Sequence, residues 1–300
     1  MTDGIINIYK EKGYTSHDVV AKMRGILKMK KIGHTGTLDP DAEGVLPVCI
    51  GKGTRLVDMI TDRDKTYEAV CRLGITTDTQ DISGKVLHTS EVSVSEEQLE
   101  LAVKSYIGEY LQLPPMYSAI KVDGKKLYEL ARQGKEIERE RRPVLIKDIR
   151  ELHYDNVAKE FSVTVECGKG TYIRTLLHDI GATLGCGGTM VKLIRTAVGN
   201  FHIENAIKLS ELEALVKENK LQPNIVTLDE VFHNYPRLTT ALEYDKLVHN
   251  GNAFSHRHII TPDLEPLLIP VRVYDSANNF IGIYQYDEER EIYKPVKMFL

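Results

Sequence analysis

The chain has 300 residues, with 39 lysines and arginines against 43 aspartates and glutamates and a formal net charge of −4. Its 42% hydrophobic and 27% charged residues are enough for a packed core and exclude a disordered polymer. Without an overall positive charge, a nucleic-acid partner has to be met by local basic surface. Cys49, Cys71, Cys167 and Cys186 form no C-x-x-C pair. This pattern points to buried thiols in a reducing compartment, not to disulfides or zinc. No apolar run approaches the ~20 residues of a membrane helix, and no signal-peptide pattern opens the sequence, so a soluble cytoplasmic protein is expected.

Ile5–Tyr9 reads as a strand, and Ser16 as the cap of a helix with Val19, Val20, Met23 and Ile26/Leu27 on its apolar face. Residues 1–35 carry seven Lys/Arg against three Asp/Glu. The run Gly33-His34-Thr35-Gly36-Thr37-Leu38-Asp39-Pro40 follows, and then a strand over Val45–Ile50. Pro40 drives the backbone of Asp39 out of the α region, and glycines at 33 and 36 allow close approach to another surface. Asp before Pro is also ordinary turn chemistry. In a stiff loop ahead of a strand, however, the carboxylate suits a nucleophile or general base. Gly51-Lys52-Gly53-Thr54 lacks the spacing of a phosphate loop and reads as a turn into a helical segment over Arg55–Ile60.

Tyr67, Ala69, Cys71 and Leu73 alternate on one strand face, with Tyr67 readable as a core-edge aromatic. Thr76–Asp81 is a polar loop. Ser95-Glu96-Glu97-Gln98 is a capping box for a helix that carries Leu99, Ala102, Val103 and Tyr106, breaks near Gly108 and ends before Pro114. Residues 121–150 hold ten Lys/Arg against six Asp/Glu, interleaved with tyrosine. A solvated mixed-charge loop and an RNA-facing insertion both fit that composition. Val144–Leu152 and Phe161–Cys167 read as paired strands. Gly168-Lys169-Gly170-Thr171 turns into a helix through Ile173, Leu176, Leu177 and Ile180. Arg174 near that helix start opposes the macrodipole and calls for a carboxylate partner elsewhere. Gly181–Gly188 does not have dinucleotide-loop spacing. Ser210-Glu211-Leu212-Glu213 reads as a second capping box, and Thr240 as the cap of a helix ending at Asn250-Gly251. Strands over Leu267–Val273, Phe280–Tyr286 and Tyr293–Met298 follow. His256-Arg257-His258 has no third ligand nearby and carries no metal expectation.

The Gly33–Gly51 run, Lys65-Thr66-Tyr67, Met116-Tyr117-Ser118, Gly124-Lys125-Lys126-Leu127-Tyr128, Lys169–Leu176 and Leu193–Gly199 together resemble the signatures of the TruB family of pseudouridine synthases. The resemblance is specific over residues 4–235 and looser beyond. It implies an α+β fold: a catalytic core with a mixed, antiparallel-rich sheet and flanking helices over 1–235, and a small PUA-like β domain over 236–300. It implies isomerisation of the T-loop uridine of tRNA to pseudouridine, with the nucleotide flipped out of its stack. It implies no metal and no nucleotide cofactor, the tRNA T-arm as partner, no membrane, and a monomer. By the same resemblance Asp39 is the nucleophile, Arg174 keeps it ionised, Tyr67 stacks on the uracil and Tyr172 is an active-site tyrosine near the base. His34 lies beside the base, and Leu193 lines the uracil pocket. Lys10, in a motif where Glu11 replaces the family's proline, is a substrate contact. Residues 112–143, with Met116, Tyr117, Lys125 and Lys126, form an RNA-gripping insertion. A base-releasing glycosylase and a non-catalytic RNA chaperone are the alternatives.

Overall fold

A computed structural model of the chain describes residues 3–122, 124–260 and 265–300. Its main sheet has, in spatial order, the strands Ile225–Thr227, Gly4–Lys10, Glu43–Ile50, Gly188–Val198, Lys65–Leu73, Glu160–Cys167, Arg142–Asp155 and Gly108–Gln112. Every adjacent pair is antiparallel except Glu43–Ile50 with Gly188–Val198, which run parallel. The long run 188–198 is therefore a central strand that joins the two halves of the sheet. Its parallel contact requires Gly44 (φ +106°): a Cβ there would lie 2.2 Å from the Arg195 carbonyl oxygen.

The alternation predicted for strand Lys65–Leu73 is present, with Tyr67, Ala69, Cys71 and Leu73 all buried. That face packs with Leu38, Leu193 and the apolar side of helix Ile173–Thr183 in one core cluster. A second cluster packs helices Ser16–Leu27 and Leu209–Lys217 against strands Gly4–Lys10 and Glu43–Ile50. All four cysteines are free and buried.

Several boundaries differ from the sequence expectation. The first helix is capped by Thr15, not Ser16: Thr15 Oγ1 accepts from Asp18 N at 3.1 Å, and Thr15 N donates to Asp18 Oδ2 at 2.8 Å. Ser16 is instead buried and turned onto the Asp39 loop. Helix Glu96–Lys104 stops four residues before Gly108, because Gly108–Gln112 pairs as an edge strand with Arg142–Ile146. Helix Leu209–Lys217 begins one residue before Ser210, and Glu211 reaches back to Lys208 N at 2.8 Å. Thr240 donates to the Asp245 side chain at 2.7 Å and caps no long helix; only Asp245–His249 is α-helical there.

A smaller five-stranded sheet, Arg237–Thr239, Val271–Tyr274, Phe280–Asp287, Ile292–Met298 and Phe254–Ser255, contains three strands near those expected at the C-terminus, the first starting at Val271 and not at Leu267. Ile283 and Phe299 from this region join Ile5, Val45, Cys49 and Leu56 of the large unit in a shared apolar cluster. The Phe299 ring lies 5.4 Å from Phe280 and 6.1 Å from Phe232, and Arg55 donates to the Met298 carbonyl at 2.8 Å. Phe299 is 2% exposed. Phe299→Ala is expected to lower stability by about 3–5 kcal/mol, measured by urea unfolding, and to speed proteolysis near Tyr235–Pro236.

Candidate active site

The loop that carries Asp39 is held at nearly every step. Thr35 N and Oγ1 both donate to the Pro47 carbonyl, at 3.1 and 3.0 Å. Leu38 N donates to Ser16 Oγ at 2.9 Å, and the Leu38 side chain is 4% exposed in the core. The Pro40 carbonyl accepts from Gly13 N at 2.9 Å and Lys10 Nζ at 3.1 Å. Arg195, 1% exposed, donates from Nε to the Val45 carbonyl at 2.7 Å and from Nη2 to the Gly36 carbonyl at 3.4 Å. A loop with its carbonyls and apolar anchor occupied in this way presents the Asp39 carboxylate in a defined place.

Arg174 answers that carboxylate. It is the second residue of helix Ile173–Thr183, and its side chain is 5% exposed. Nη2 lies 3.4 Å from Asp39 Oδ2, and Nη1 lies 3.5 Å from Asp81 Oδ2. Nη2 also donates to the Tyr117 carbonyl. The carboxylate partner that its place at the helix start calls for is thus present twice. Asp81 was not singled out in the sequence. It lies in an Asp-x-Ser turn, a pattern that signals only local bonding. Its Oδ1 indeed accepts from Thr79 Oγ1 at 2.8 Å, Ser83 N at 3.0 Å and Ser83 Oγ at 2.5 Å. Its other oxygen is left for Arg174.

Burial pushes the Asp39 carboxyl above the usual range; Arg174 acts against that shift and Asp81 adds to it. Arg174 draws Asp39 towards the anion, against the loss of water and the neighbouring Asp81. The arginine is shared with a second carboxylate, so its pull does not offset the loss of water in the free protein.

Tyr67 is 8% exposed and stands opposite Arg195 in the strand register, within hydrogen-bonding reach of its side chain. Leu193, on the same central strand, pairs with Ala69 and is 8% exposed. Tyr172 caps the helix that bears Arg174, and its ring centre is 5.9 Å from the guanidinium. His34 ends strand Ile32–His34 and meets His17 edge-on at 5.1 Å. Burial, then His17 and Arg195, pull the His34 imidazole down to about 4, so the ring is neutral at physiological pH. Met116 and Tyr117 are half-buried beside this cluster, in the segment whose carbonyl Arg174 holds. Lys125 and Lys126 lie further out on the hairpin Lys121–Val122/Lys125–Lys126, with Lys126 Nζ 5.4 Å from the Tyr128 ring centre.

Lys10 is the site residue whose expected role the structure does not support. It is 0% exposed, and its amine donates to the carbonyls of Glu11 and Pro40. Burial lowers its pKa to about 8, with Asp39, Glu43 and Asp41 opposing the shift. A fully covered amine cannot meet a phosphate; Lys10 braces the Asp39 loop from behind.

The Asp39 loop, its buried arginine partner and the strand face carrying Tyr67 and Leu193 lie together over the mixed sheet. The model of the TruB family pseudouridylate synthase N-terminal domain matches residues 24–173, and that of the tRNA pseudouridylate synthase B C-terminal domain matches residues 174–234. The chain belongs to the TruB family. It is 50% identical to tRNA pseudouridine synthase B of Lachnoclostridium phytofermentans, over 99% of this chain and 100% of that protein. It is 47% identical to tRNA pseudouridine synthase B of Clostridium novyi, over 94% of each. Among solved structures, a chain of a Cbf5-Nop10-Gar1 complex superposes with a TM-score of 0.72 at 26% identity, covering 99% of this chain and 85% of that one.

A carboxyl raised above its unfolded value binds its proton more tightly in the fold. Stability is therefore lost as pH rises from about 4 towards the folded pKa, and the loss persists above it. Asp39→Asn is expected to raise Tm at neutral pH, with the gain vanishing below about pH 4, measured by calorimetry across pH.

Proposed function

We propose that the chain converts the T-loop uridine of tRNA to pseudouridine. The C1′–N1 glycosidic bond breaks, the uracil turns within the site, and a C1′–C5 bond forms. N1 ends protonated and the C5 proton is released. In this reading Asp39 is the nucleophile, Tyr67 stacks on the uracil and Leu193 lines its pocket. Tyr172 assists proton transfer, and neutral His34 fills space left by the flipped base. Family membership and the Asp39–Arg174–Asp81 cluster support it, with the 3.4 Å Arg174–Asp39 approach as the observation that carries it. A cation fixed beside one carboxylate steadies the charge needed for attack at the sugar or the base.

The same reading assigns residues 112–143 to the RNA grip, with Met116 and Tyr117 near the flipped nucleotide and Lys125 and Lys126 towards phosphate. It divides the chain into a catalytic domain over 1–235 and a PUA-like unit over 236–300, acting as a cytoplasmic monomer. Among the described residues no helix is long and apolar enough to cross a membrane.

Pseudouridine mapping of tRNA incubated with the purified protein tests the proposal. A base-releasing glycosylase would instead lower the RNA mass. Asp39→Asn is expected to abolish tritium release from 5-tritiated uridine in T-arm RNA while leaving RNA affinity within about threefold. Full activity of that variant would remove Asp39 from its role. Replacing Lys125 and Lys126 by alanine is expected to weaken tRNA binding and flatten its salt dependence by up to about two phosphate contacts.

A further inference from the structure

The helix that presents Arg174 begins at Tyr172, whose own side chain makes no capping hydrogen bond. Its first turn is instead held by a residue sixty positions earlier. Gln112, 1% exposed, ends the edge strand Gly108–Gln112. Its Oε1 accepts from Tyr172 N at 2.8 Å, and its Nε2 donates to the Tyr172 carbonyl at 3.0 Å. The same Nε2 also donates to the Tyr110 hydroxyl. Both amide hydrogens and the carbonyl oxygen are thus occupied, which leaves the side chain a single orientation. The Tyr172 carbonyl also accepts the first helical bond, from Leu176 N at 3.1 Å. From the other side, Thr175 Oγ1 donates to Gln80 Oε1 at 2.7 Å, next to Asp81.

We infer that Gln112 is a positioning residue for the reaction: its side-chain amide grips both backbone polar groups of Tyr172 and thereby sets the Tyr172 ring and the Arg174 guanidinium against Asp39. Gln112 is also the last strand residue before Pro114–Ser118, the segment whose Tyr117 carbonyl Arg174 binds. One side chain therefore ties the root of the insertion to the catalytic helix. A shift of about 1 Å at the helix start would move Arg174 away from a pair already at the edge of contact, and misplacement on that scale costs on the order of a hundredfold in rate.

The inference rests on the pseudouridylation reading, and its test separates the two. The parent chain is assayed first, by single-turnover pseudouridine formation in tRNA; an inactive parent overturns that reading and this inference with it. Gln112→Leu removes the donor and the acceptor. It is expected to slow the single-turnover rate by on the order of tenfold to a hundredfold, with tRNA affinity within about threefold. Gln112→Glu keeps the acceptor but, when ionised, lacks the donor. Burial raises such a carboxyl, and its protonation restores the donor, so the variant-to-parent rate ratio is expected to rise as pH falls from about 8 to about 6. A purely structural glutamine would lower Tm in both variants without that pH-dependent ratio. A folded Gln112→Leu protein within about twofold of the parent rate overturns the inference. So does a flat ratio for Gln112→Glu, which decides alone if the leucine variant does not fold.

Discussion

The site depends on one buried cation. Arg174 has almost no access to water, and a guanidinium so placed must find its partners within the protein. It finds three, from three separate parts of the chain: Asp39 in the glycine-rich loop, Asp81 in the turn after strand Ile75–Thr77, and the Tyr117 carbonyl at the root of the insertion. The guanidinium divides its contacts among these groups, so the four positions constrain one another. The cost falls on Asp39. Its carboxyl is recessed and competes with Asp81 for the same arginine, which pushes it upward from the usual carboxylate range. An anion that the fold does not fully satisfy is suited to reaction with a substrate.

Rigidity behind that carboxylate comes from buried groups turned onto the backbone. Lys10, Ser16 and Arg195 are buried polar side chains spent on the backbone around residues 36–45. Each satisfies carbonyls or amides that a loop passing over a core would otherwise leave unpaired. The central strand Gly188–Val198 contributes twice, through Arg195 to the loop and through Leu193 to the face it shares with Tyr67. The parallel contact at Gly44 brings these pieces together.

Much of this was legible beforehand. The alternation of Tyr67, Ala69, Cys71 and Leu73, the Ser95 capping box, and the Phe161–Cys167 strand follow from local periodicity, which needs only neighbours in sequence. The pairing of Arg174 with a loop carboxylate was foreseeable because a cation at a helix N-terminus lacks a local reason to be there. Lys10 was misjudged because its place in a motif does not tell a solvated lysine from one folded under a loop. Asp81 and Gln112 were missed because their partners lie 93 and 60 residues away in the numbering, beyond any periodic signal.

The amino-acid order by itself determined the identity and type of the main elements, the absence of nucleotide-loop spacing, and the family to which Asp39, Tyr67 and Arg174 pointed. These are properties of short windows, in which steric preference and apolar spacing act without tertiary help. Only the folded chain decided which carboxylates share Arg174, which lysine is braced inside and which faces solvent, and how an edge-strand glutamine comes to hold the helix that bears Arg174. Those outcomes depend on burial and on long-range approach, because desolvation and hydrogen-bond geometry exist only once distant segments have been brought into contact.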